Sequence, residues 1–141
     1  MSERILSFKD LRVYKLAFEV QQEVFEITRR FPAEERYALT DQLRRATRSI
    51  GANISEAWQK RWYVAHFVSK LTDADGEQAE VQHWLATAMA CDYLAEKEQT
   101  VLLKECARVG QMLGAMMADP DKWRRNANRD RKIKVKRTTD G

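Results

Sequence analysis

Apolar residues recur at steps of three and four along nearly the whole chain, a periodicity that fits helices burying one stripe each. The longest run is Val64, Phe67, Leu71, Ala74, Gln78, Val81, Leu85 and Ala88. It is heptad-like with one polar member, the pattern of antiparallel bundle packing, and it predicts a helix over about Val64 to Ala90. Upstream, Val13, Leu16, Ala17, Val20, Val24 and Ile27 mark a first helix over about Phe8 to Arg30. A second flank of Leu11, Tyr14, Phe18 and Phe25 makes its apolar face wider than one seam requires. That width predicts contact with both its own bundle and a neighbouring subunit. Phe31-Pro32 ends this helix, because a residue before proline is pushed out of the helical region. The next helix starts after Pro32, with Glu34 and Glu35 suiting its first turn. Its stripe is Leu39, Leu43, Ala46, Ile50, Ile54 and Ala57, beside a polar stripe of Gln42, Arg45, Ser49, Asn53, Glu56 and Lys60. A fourth helix, about Glu98 to Ala118, carries Leu102, Cys106, Val109, Leu113 and Met116 until Asp119-Pro120 stops it.

With 5 Gly and 2 Pro in 141 residues, turns are few and connections short. Short connections make sequential helices antiparallel neighbours. The expected fold is therefore all-α: an antiparallel up-down-up-down four-helix bundle over residues 1–119, followed by a basic, flexible C-terminal tail over 120–141. No apolar run approaches the roughly 20 residues that span a bilayer, and MSERILSFKD lacks the apolar core of a signal peptide. Cys91 and Cys106 fall on apolar stripes without C-x-x-C spacing. They read as reduced, buried thiols of a cytoplasmic protein.

The net charge of +4 is unevenly spread. Residues 120–141 hold nine basic side chains (Lys122, Arg124, Arg125, Arg129, Arg131, Lys132, Lys134, Lys136 and Arg137) against three acidic ones, a net of +6. Residues 1–119 keep sixteen basic and eighteen acidic residues, a net of −2. A solvated extension is one reading of such a tail. An electrostatic arm for RNA or DNA, with Trp123 placed to stack or anchor, is the other.

No residue commits the chain to catalysis, and no cofactor is expected. Glu80-Val81-Gln82-His83 has the Glu-x-x-His spacing of di-iron bundles, but the second motif is absent: Tyr63 lies three residues before His66. Asp73-Ala74-Asp75-Gly76 resembles part of a calcium loop, yet the flanking ligand positions are Leu71 and Gln82. No metal site is expected. Gly110 and Gly114, and likewise Gly51, Ala52 and Ser55, predict close helix approach. Arg45, Ser49, Asn53 and Glu56 predict a polar contact that fixes how helices or subunits meet, with Arg45 as a local partner, since a buried amide or carboxylate needs partners.

The stretch Phe8-Lys9-Asp10-Leu11 with Tyr14, then Phe31-Pro32, Glu35, Tyr37, Leu39, Gln42-Leu43-Arg44-Arg45-Ala46, Ser49-Ile50, Asn53-Ile54 and Glu56, and later Glu80 and Leu85, resembles the four-helix-bundle proteins encoded in intervening sequences of 23S ribosomal RNA genes. The resemblance covers roughly residues 8–118. It implies a bacterial bundle that assembles as a homopentamer. Accessory variability determinant proteins of diversity-generating retroelements are similar, and by that resemblance the chain is expected to be a non-enzymatic accessory protein that binds nucleic acid and contacts a reverse transcriptase. The alternative is an oligomeric protein-interaction scaffold without nucleic-acid binding; a ligand- or metal-binding bundle is the third class. The family usually carries Gly where this chain has Ala57, and Gly-Ser where it has Gly76-Glu77. The second difference makes the third helix more acidic and moves the expected phosphate contacts onto the tail.

Overall fold

A computed structural model describes residues 4–124. Among them the chain forms four long helices and no strand: α1 over Arg12–Thr28, α2 over Asp41–Gln59, α3 over Val64–Ala90 and α4 over Glu96–Ala118. Each helix buries the stripe its sequence marks. Val20 and Val24 of α1, Leu43, Ile50 and Ile54 of α2, Leu71, Val81 and Leu85 of α3, and Val109 and Leu113 of α4 are all 0% exposed. Burial of that completeness is worth about 1.5–3 kcal/mol per large side chain before conformational entropy is counted. The α2–α3 seam is the most extensive and the α1–α4 seam the least of the four. No described helix is long and apolar enough to cross a membrane.

Two helix starts differ from the sequence reading. Phe8–Asp10 form a separate 3-10 turn closed by a capping box. The Ser7 hydroxyl accepts from Lys9 N–H, and the Asp10 carboxylate accepts from the Leu6 and Ser7 N–H groups. Leu11 then leaves helical geometry at φ −66°, ψ 130° and buries its own side chain, so α1 begins at Arg12. The second helix is approached through a 3-10 turn at Ala33–Glu35 and a π turn at Arg36–Thr40. The wider π turn absorbs an extra residue while Leu39 and Thr40 both face the core. The α1–α2 corner is held by Thr28, whose Oγ1 donates to Val24 O at 2.7 Å and accepts from Arg44 Nε at 2.8 Å. The Arg44 guanidinium also lies 4.8 Å from the Phe25 ring.

The α3–α4 connection reverses at Asp92, the one described non-glycine residue with positive φ, 61°. Cys91 caps α3 at this turn and is exposed, contrary to its placement on an apolar stripe; the stripe ends one turn earlier, at Ala88. Cys106 is buried as expected.

The polar member of the α3 stripe, Gln78, is buried and satisfied along its own helix. It donates to Asp75 Oδ1 at 3.0 Å and accepts from Gln82 Nε2 at 2.6 Å. Gly110 of α4 sits against this network. A Cβ there would lie 3.0 Å from Gln78 Nε2 and 3.2 Å from Asp75 Oδ1. The expected close approach therefore holds at Gly110. It does not hold at Gly114, where a Cβ would meet nothing within 4 Å, and at Gly51 it would make ordinary contact with Tyr14 at 3.5 Å. Gly76 is open as well. Gly76→Ala and Gly114→Ala should each add about 0.5–1 kcal/mol, the usual helix-interior gain. Gly110→Ala should gain less or lose, because it displaces the Gln78 amide. Urea unfolding of the three variants checks the ordering.

Candidate functional site

Pro120 restarts helical geometry just after α4, and residues 120–124 are helical. Proline suits a first helical position because its missing N–H would have no partner there. This turn is not part of a free arm. Trp123 is half-buried against the core, its ring edge-on to Trp58 at 6.1 Å and 73°. Trp58, near the end of α2, is buried on its other side beneath Arg61. The Arg61 guanidinium lies 4.0 Å from the Trp58 ring and donates to Trp58 O at 2.9 Å. Lys122 Nζ stands 5.0 Å from the Trp123 ring, and Arg124 pairs with Asp121 at 3.8 Å. Residues 120–124, the first of the basic segment, thus pack at the α2–α3 end of the bundle. Of the expected nucleic-acid residues, Lys122, Trp123 and Arg124 belong to this corner. Arg125, Arg129, Arg131, Lys132, Lys134, Lys136 and Arg137 lie outside the described residues. Arg61 and Trp58 were not singled out from sequence. Arg61 lies in the turn after α2, so the helical stripe does not mark it.

The polar stripe of α2 divides into two local contacts. Asn53 Nδ2 donates to Ser49 O at 2.9 Å and lies near Ser49 Oγ at 3.4 Å. Glu56 is exposed and pairs with Lys70 Nζ of α3 at 2.9 Å, which holds its carboxyl below the usual range. Arg45 is not the partner of Glu56. Eleven residues of helix separate them by about 16 Å. The Arg45 charge acts instead on Glu77 of α3, which also takes a hydrogen bond from Ser49.

Two carboxylate pairs flank the bundle. Burial and the neighbouring Glu80 push the Glu77 carboxyl up, against the opposing pull of Ser49 and Arg45. Between α1 and α4, burial and the hydrogen-bonded Glu23 push Glu105 up to about 7, with Glu19 adding to the effect. Burial first, and then Glu105 and Glu23, raise the adjacent Cys106 thiol to about 12, so it has no thiolate chemistry near neutral pH. His83 packs its ring on Trp84 at 4.8 Å. Among the described residues no three His, Cys, Asp or Glu side chains converge as a metal site would require.

The Glu105 pair has a definite pH signature. Below pH about 4.5 the carboxyl is protonated in both folded and unfolded chains and costs nothing. Between there and pH about 7 the unfolded chain ionises first, so stability falls as pH rises. Glu105→Gln should therefore match the native chain at pH about 4 and exceed it by about 1 kcal/mol at pH about 8, a value discounted for the pair's partial solvation. Thermal melts at the two pH values check this.

The comparisons agree with this architecture. A solved structure from Bacteroides thetaiotaomicron, described as a protein of unknown function from the S23 ribosomal protein family, superposes with a TM-score of 0.68. It is 23% identical, and the match covers 75% of this chain and 95% of that one. At that identity the likeness speaks for the fold alone. Among curated proteins, none matches the chain. The family model for 23S rRNA-intervening sequence proteins matches residues 9–115, from the first turn of the N-terminal capping segment to the last turn of α4. With its four-helix core and the motifs of α2 inside that span, this chain belongs to the 23S rRNA-intervening sequence protein family.

Proposed function

We propose that this chain is a non-enzymatic, oligomeric accessory protein that holds RNA or DNA through its basic C-terminal segment. The observation that carries the reading is the charge division: a net of −2 over residues 1–119 against +6 over 120–141. Phosphates are repelled on average by the first part and drawn to the second. Trp123 supports the reading by tying the first turn of the basic segment, with Lys122 and Arg124, to the buried Trp58. Resemblance to retroelement accessory proteins makes a reverse transcriptase the natural protein partner.

The outer flank of α1 supports self-association as part of this reading. Phe18 is 45% exposed, with Tyr14 beside it at a ring distance of 6.3 Å. A second copy covering this flank, in a closed homopentamer, removes these rings from water. Several basic segments around one ring then act together, raising apparent affinity without new contacts.

Removing residues 125–141 should leave fold and oligomer intact and weaken single-stranded RNA binding at least tenfold, about 1.4 kcal/mol. The full-length protein should show log K falling with log salt by about 0.7 per engaged phosphate. Equal affinity of the two forms in a titration at two salt concentrations would move the binding surface to the bundle. Absence of binding by either form at low salt would favour the protein scaffold.

Phe18→Glu should dissolve the oligomer and leave a helical monomer, because the substituted position is exposed within the single chain. Native mass spectrometry of the two proteins gives the answer. A native chain that is monomeric at micromolar concentration overturns the assembly.

A further inference from the structure

The turn between α2 and α3 places Lys60, Arg61, Trp62 and Tyr63 in succession, and the Trp58–Trp123 contact brings Lys122 to the same corner. Tyr63 is 69% exposed, a large ring held in water at the head of α3. It is not loose: its carbonyl accepts from Phe67 N–H at 3.0 Å, and its ring meets the His66 ring edge-on at 5.9 Å. Trp62 is half-buried, with the Arg61 guanidinium 5.9 Å from its ring. Two nearby acids are already occupied. Glu56 is neutralised by Lys70 at 2.9 Å and Asp121 by Arg124 at 3.8 Å. Lys60, next to Arg61 in the turn, and Lys122, 5.0 Å from the Trp123 ring, are exposed cations.

We infer that this corner is a binding site for single-stranded nucleic acid, in which unpaired bases stack on Tyr63 and the accessible part of Trp62 while phosphates pass Lys60 and Lys122. The inference rests on the nucleic-acid reading of the basic segment and adds a second kind of contact to it. A basic arm attracts phosphates whether or not the bases are paired. A protruding ring is different, because bases within a duplex are already stacked on one another and offer no free face. The combination of rings beside cations is what sequence-tolerant single-strand sites use. It would turn an arm that binds any polyanion into a surface that prefers single strands.

The test uses the full chain, with a fluorescently labelled single-stranded oligoribonucleotide and the duplex of the same sequence as probes. Tyr63→Ala should weaken single-strand binding by about fivefold or more, the effect of losing one base stack. It should leave duplex binding and the salt slope unchanged, and Tyr63→Phe should restore the affinity. Because Tyr63 is exposed and its backbone bond survives substitution, an unchanged melting temperature confirms that the variants fold. Removal of residues 125–141 should instead weaken single strands and duplex alike and flatten the salt slope. If Tyr63→Ala binds single strands as the native chain does while the truncation weakens both probes, the corner is overturned and the arm stands. If the truncation changes nothing but Tyr63→Ala weakens single strands, the arm is overturned and the corner stands. A native chain that binds neither probe at low salt overturns both.

Discussion

The bundle depends on the seam between α2 and α3. These are the helices with the most extensive mutual packing, and each buries small and large apolar residues alike: Ala46 and Ala57 of α2 and Ala74 of α3 are all at 1% exposure or less. Ile50, Ile54, Phe67 and Leu71 of the same two helices are buried as completely. Interiors pack like organic crystals, so removing one such side chain leaves a cavity costing about 2–5 kcal/mol. The Glu56–Lys70 pair closes this seam on its wet side but contributes little, as exposed ion pairs do. Positioning of the Trp58–Arg61 corner follows from the same seam, because both residues lie where α2 runs out against the start of α3.

Polar groups refine what apolar packing leaves open. Gln78 interrupts the α3 stripe and could have been a liability in a core. Asp75 and Gln82, one turn to either side, satisfy its amide, and Gly110 leaves room for the network beneath α4. The α1–α4 seam is handled differently. There Glu105 and Glu23 share a partly buried position that favours a proton near neutral pH. The sparsest seam thus carries a raised carboxyl, as the Glu77–Glu80 pair of α3 does elsewhere in the bundle. At the opposite corner, Arg30 pairs with Glu98, which also accepts from Ala95 N–H and caps α4. Tyr93 packs on Phe31 at 5.6 Å and donates to Glu35, which raises its phenol to about 12.

Much of this was legible in the residues. The stripes of all four helices, the stop at Phe31-Pro32 and the buried Cys106 follow from periodicity and proline geometry alone. The errors share a cause. Leu11 lies on the α1 pattern but caps the helix, because the Ser7–Asp10 box closes a separate turn just before it. Cys91 continues the α3 spacing beyond the point where Asp92 reverses the chain. Arg45 and Glu56 lie on one stripe, yet a helix holds them about three turns apart. Periodicity identifies which residues share a face; it does not say where that face ends or which neighbour meets it.

By itself the sequence determined the all-α class, the helix faces and the division of charge between body and C-terminal segment. These depend on composition and local spacing, which tertiary contacts do not alter. Tertiary structure decided what long-range contacts create. It set Trp123 against Trp58, gave Glu56 to Lys70, brought Glu105 to Glu23, and made Gly110 rather than Gly114 the point of close approach. Each of these joins residues far apart in the chain, and their distances follow only from how the four helices pack.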